Sequence, residues 1–159
     1  ADKSKFMVIG SATPETNDTV QRAANAYRRA ALALKGMPIY NPTLAVEAIG
    51  FRNVDGREAG VMLTPWFMNL TVLPSAEDQK VWVKSGSVRL VFPSGAYDFV
   101  VSELPDFGLV ATCPLFSQMA DFTDHEAAQL AALSAANALF EAEEPEPAPS
   151  VSRRQLLGG

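Results

Sequence analysis

The sequence predicts an α+β fold: an antiparallel sheet of about five strands, flanked by an N-terminal and a C-terminal helix. Three observations carry that expectation. An amphipathic helical pattern opens the chain, alternating apolar segments punctuated by turn residues fill the middle, and a capped Ala/Leu-rich pattern follows them. With 159 residues, 48% of them apolar and 19% charged, the chain has the composition of one domain able to bury a core. The expected boundaries are a flexible N-terminus or expression remnant over 1–12, one α+β domain over 13–140, and a disordered linker and tail over 141–159.

The first helix is expected from Thr13 to Lys35. Thr13 can cap it, Pro14 suits the first helical position, and Glu15 complements the positive end of the helix dipole. Val20, Ala23, Ala24, Tyr27, Ala31 and Leu34 recur at helical spacing, with Arg22, Arg28 and Arg29 off that stripe. Gly36 and Pro38 end it. A strand follows from Leu44 to Phe51, and Asp55-Gly56 signals a type I′ hairpin turn. The return strand begins near Ala59 and is interrupted, or forced to an edge, at Pro65, which cannot donate to a ladder. Apolar residues resume from Trp66 to Leu73, and Pro74 to Lys80 reads as a polar connection. Val88, Leu90 and Phe92 alternate on the next strand. Pro93-Ser94-Gly95 makes the turn, Tyr97, Phe99 and Val101 share the following inward face, and a last strand runs from Leu109 to Leu115. Thr123 and Glu126 have capping-box spacing before a helix that reaches about Phe140, and the helices are expected to cover one face of the sheet.

Charge and composition exclude several functions. Thirteen basic residues against eighteen acidic ones, a net charge of −5, argue against nucleic acid as the main partner, since phosphate binding needs clustered positive charge. One cysteine, Cys113, precludes an internal disulfide. Cys113 and His125 together supply half the ligands of an ordinary Cys/His zinc site, which takes about four. No Gly-rich phosphate loop occurs, and nothing ties the one thiol to the one imidazole as a catalytic pair. No apolar run approaches the roughly 20 residues that span a bilayer. The expectation is a non-enzymatic protein with no catalytic residues, metal or cofactor, located in the cytoplasm.

Two segments stand out. In Leu63-Thr64-Pro65-Trp66-Phe67-Met68, three bulky side chains follow one another, and in a strand they cannot share a face. They are either core, or partly a surface of the aromatic and Met type that adaptable binding sites use. The second segment is Ser152-Arg153-Arg154-Gln155-Leu156-Leu157, beyond the Pro- and Glu-rich stretch from Glu141 to Ser150. It resembles a twin-arginine export motif but is not followed by the apolar stretch of about 7–15 residues that export requires. A plain basic terminus is the competing reading.

Several stretches together resemble the HybE/HupJ family of nickel–iron hydrogenase assembly chaperones. They are Met37 to Pro42, Val46 to Phe51, Gly60 to Leu70, Phe92 to Gly95, Cys113 to Met119 and the Ser-Arg-Arg tail. The resemblance implies a fold similar to secretion chaperones, a two-layer sandwich of sheet and helices. It also implies a cytoplasmic role in hydrogenase maturation, holding the small-subunit precursor with its twin-arginine signal until cofactors are inserted. The large subunit and other maturation factors are further implied partners. Some relatives are associated with a rubredoxin-like module of paired Cys-x-x-Cys motifs, which this sequence lacks. On this reading Tyr40, Trp66, Phe67, Met68 and Phe116 form the peptide-binding surface. Glu47, Glu103 or Asp106 meet the client's arginines, and Arg153, Arg154, Leu156 and Leu157 form a docking tail. The alternative is a scaffold that joins hydrogenase subunits without reading the signal.

Overall fold

The computed structural model describes residues 18–142. The expected cap at Thr13, Pro14 and Glu15, and the tail with Arg153, Arg154, Leu156 and Leu157, lie outside the described residues. Helix α1 (Asp18–Leu34) is followed by β1 (Glu47–Val54), β2 (Arg57–Leu63), β3 (Met68–Leu73) and a short α2 (Ala76–Val81). Strands β4 (Ser87–Phe92), β5 (Gly95–Leu104) and β6 (Gly108–Phe116), a single 3₁₀ turn (Met119–Asp121) and α3 (His125–Leu139) complete it. The six strands form one antiparallel sheet in the order β1-β2-β3-β6-β5-β4. The expected α+β class is observed, with six strands instead of about five. The sixth arises because Pro65 turns the chain between β2 and β3 and makes a hairpin of what reads as one broken strand.

Local chemistry explains most boundaries. Asp55 and Gly56 both have positive φ (54° and 85°), as the two central residues of a type I′ turn require. Strand β1 starts later than expected, at Glu47, and runs past Phe51 to Val54. Leu44 and Val46 are nevertheless buried, in the segment leading to it. A bulge between Ile49 and Arg52 puts two β1 residues opposite one on β2 and reverses the alternation, so Ile49 and Phe51 face opposite sides of the sheet. Gly50 sits in that bulge at φ 68°, and a Cβ there would lie 2.5 Å from the Ala136 Cβ of α3. Only glycine fits so close a helix with that backbone.

Two corrections concern the helices. The Pro74–Lys80 segment contains α2, capped by a box in which Ser75 Oγ accepts from the Asp78 N–H and Asp78 Oδ2 accepts from the Ser75 N–H. The N-cap of α3 is Asp124, not Thr123, and its carboxylate accepts from the Ala127 N–H at 2.8 Å. The expectation that both helices cover one face is also overturned. Adjacent strand residues point to opposite faces. Met62 packs with Val20, Ala23 and Tyr27 of α1, while its neighbours Val61 and Leu63 pack with Ala128, Ala132 and Ala136 of α3. Leu73 and Val72, and Val110 and Ala111, divide the same way. One helix therefore covers each face. The continuous burial of β2 from Glu58 to Leu63 is what two-sided coverage demands.

Candidate functional site

The apolar motifs of the sequence converge beside the β2–β3 turn. Thr64 is fully buried there. Its hydroxyl accepts from the N–H groups of Trp66 (3.2 Å) and Phe67 (2.9 Å) and donates to the Phe67 carbonyl (3.1 Å). The Thr64 N–H donates to the same carbonyl at 2.9 Å. This local network, with Pro65 inside it, folds the Leu63–Met68 stretch into a tight corner. Met68 then enters β3 and is 0% exposed. It belongs to the core, so the expected Trp66-Phe67-Met68 surface is cut back by one residue. Phe67 and Trp66 are half-buried beside α1, and Tyr27 meets Phe67 edge-on at 5.5 Å. Burial pushes the Tyr27 phenol up to about 12.

Asn41 joins this corner to two other segments. Its backbone N–H donates to the Pro65 carbonyl at 2.8 Å, and its side-chain amide donates to the carbonyls of Met119 (2.8 Å) and Phe122 (3.0 Å). The amide oxygen accepts from the Thr43 N–H and hydroxyl. Thus the 37–43 loop, the β2–β3 turn and the 3₁₀ turn are pinned by one residue, through its backbone and its side chain. Between the loop and the 3₁₀ turn lies an open groove of about 200 Å³, lined by Pro38, Ile39, Tyr40, Asn41, Pro42, Ala120 and Phe122. Tyr40 stacks on Trp66 (6.3 Å, 17° between planes), and Trp66 meets Phe67 at 5.4 Å. On the other wall Phe122 meets Phe116 edge-on at 5.6 Å. Phe116 remains 45% exposed and Ile39 55%.

The structure thus gathers Tyr40, Trp66 and Phe67 into one aromatic group on the α1 side and pairs Phe116 with Phe122, which packs on the α3 side; of these Tyr40 and Phe122, with Ile39 and Asn41, line the groove. The sequence signal for Asn41 and Ile39 was their place in the Met37–Pro42 motif; Phe122 had none. The surface suits an apolar segment with a few backbone polar groups, because flat rings and a proline-edged wall offer contact area at low entropic cost.

The expected acidic partners are already engaged. Glu47 Oε1 accepts from Gln129 Nε2 (2.7 Å) and from His125 Nε2 (2.9 Å). The Ala45 N–H donates to His125 Nδ1 at 3.2 Å, which leaves the ring proton on Nε2 for that bond. Asp106 pairs with Arg29 at 3.0 Å and Glu103 with Lys84 at 3.5 Å. Asp121, between groove residues Ala120 and Phe122, is exposed and has no ion pair among the described residues. Cys113 is half-buried on β6, where burial and then Asp98 raise its thiol above the ordinary value and keep it protonated. Among the described residues no three His, Cys, Asp or Glu side chains converge as a metal site. No helix among them is long and apolar enough to cross a membrane.

Comparison with known proteins assigns the family. The model of the family described as [NiFe]-hydrogenase assembly, chaperone, HybE matches residues 18–159. The hydrogenase expression/formation protein HupJ of Bradyrhizobium diazoefficiens is 40% identical over 135 residues, which is 80% of this chain and 79% of that one. The hydrogenase expression/formation protein HupT of Azotobacter chroococcum is 40% identical over 138 residues, 84% of this chain and 92% of its own. The solution structure of HybE from Escherichia coli superposes with a TM-score of 0.60 at 22% identity, over 87% of this chain and 88% of that one, and so shares the fold. The chain is a member of the HybE family of hydrogenase assembly chaperones.

Proposed function

We propose that this chain is a cytoplasmic, non-enzymatic chaperone that holds the small-subunit precursor of a nickel–iron hydrogenase through its twin-arginine signal peptide. The large subunit and other maturation factors are further partners in that role. The observation that carries the reading is the groove walled by Tyr40 on one side and Phe122 on the other, extended by Trp66 and Phe116. An apolar signal segment gains most of its affinity from such desolvated aromatic contacts, while charge sets orientation and encounter rate. Catalysis is unsupported: burial keeps the Cys113 thiol protonated, and His125 is committed to Glu47 and Ala45.

The test is precursor binding by a Tyr40→Ala/Phe116→Ala double variant. Both side chains reach the surface, so their loss leaves the core intact, whereas replacing Met68 would open a core cavity. Each truncation of an aromatic contact is worth about 1–2 kcal/mol, so precursor affinity falls at least tenfold while the circular dichroism is unchanged. Unchanged binding removes the groove from the site. The scaffold alternative gains from the engagement of Glu47, Glu103 and Asp106 within the fold. A precursor lacking its signal separates the two readings: a scaffold binds it, a signal reader does not.

A further inference from the structure

Taking the groove as the client's seat, as proposed above, we infer that residues 152–157 of this same chain occupy it when no client is bound. The motif has the chemistry of the client it would exclude. Arg153 and Arg154 precede Leu156 and Leu157, and the groove presents aromatic rings next to the exposed Asp121, with Asp124 and Glu126 following at the start of α3. Asp121 has no ion pair among the described residues to compete with an incoming arginine.

The length of chain fits. Helix α3 begins beside the groove, where Asn41 binds the Phe122 carbonyl, and carries the chain away over fifteen residues, about 22 Å at the helical rise. The described residues end at Ala142 just beyond it. Ten residues, 143–152, then lead from that point to Arg153. At polyproline extension they reach about 31 Å, enough to return along α3 to its start. A proline at every second position from Pro145 to Pro149 favours that extension. The family match also runs through residue 159, so the tail belongs to the matched module and not to an unrelated appendage.

The two tryptophans supply the test. Trp66 stacks on groove residue Tyr40, whereas Trp82 packs in the core on the α3 side of the sheet. In ¹⁵N-labelled protein, truncation after Ala148 should shift the Trp66 indole signal and leave that of Trp82 in place. A full-length R153E/R154E variant should do the same, and a synthetic peptide of residues 149–159 should restore the shift in the truncated chain. A second measurement uses a synthetic twin-arginine signal peptide as probe. With an effective tail concentration on the order of 1 mM and a tail affinity near ~100 μM, truncation raises probe affinity about tenfold. Identical Trp66 signals in full-length and truncated chains overturn the inference, as does equal measurable probe affinity for both. If the probe binds neither chain while Trp66 still shifts, the tail occupies the groove and the client reading fails instead.

Discussion

A hydroxyl buried at a turn can donate once and accept twice, and Thr64 uses all of that capacity within three residues. Its geometry decides where Trp66 goes, and through the stack on Tyr40 it decides the shape of one groove wall. Thr64→Val keeps the volume and removes the oxygen. The Trp66 and Phe67 N–H groups then lose their acceptor in a part-buried site, which costs about 2–3 kcal/mol. Urea unfolding should show that loss, and the near-ultraviolet circular dichroism of the stacked rings should weaken. A variant as stable as the parent would mean that Pro65 alone sets the corner.

At the scale of elements, α2 shows how a segment with little apolar surface is held. Arg57 at the start of β2 donates from Nε to Asp78 Oδ2 (2.6 Å) and from Nη2 to Oδ1 (2.8 Å), while Asp78 also completes the helix cap. The Arg57 hydrogen bonds, chiefly, hold the Asp78 carboxyl down from 3.8 to about 2. A folded-state value below the unfolded one means that this stability is fully present above pH ~4 and disappears as the pH falls through about 2. Asp78 is 9% exposed and Arg57 34%, so the pair contributes ~1–2 kcal/mol after allowance for solvent around the arginine. The difference in unfolding free energy between the parent and Asp78→Asn should be of that size at pH 7 and shrink between pH 4 and pH 2. A difference independent of pH would exclude the ion pair as its source. The same helix marks a limit of sequence reading. Six residues carry too little periodicity to stand out among Pro, Ser and acidic neighbours, although Ser75 and Asp78 had capping-box spacing. Long signals were legible: the α1 stripe, the Asp55-Gly56 turn and the inward residues of β4 and β5 all appear as the pattern requires. The groove was legible only in pieces. Tyr40, Trp66 and Phe116 lie in three separate segments, and Asn41's contacts with Pro65, Met119 and Phe122 span distances in sequence that periodicity cannot bridge.

For the whole molecule, the decisive feature is one sheet shared by two cores, α1 on one face and α3 on the other. Among the described residues neither helix has another layer to pack on, so each core depends on the register of the same six strands. That arrangement makes a definite thermodynamic demand. Val61 of β2 lies under α3, and Val110 of β6 lies under α1; both are buried. The two strands are separated by β3, which places them about 10 Å apart across the sheet. Val→Ala at either site deletes two carbons and leaves a cavity, at a cost of about 2 kcal/mol. At that separation, and on opposite faces, the two losses should add within ~0.5 kcal/mol. Because the sheet is common to both cores, far-ultraviolet circular dichroism and tryptophan fluorescence should follow one transition in each single variant and in the double. Two separated transitions in the double variant would mean that the faces melt independently, and the sheet would then be two units and not one folded body.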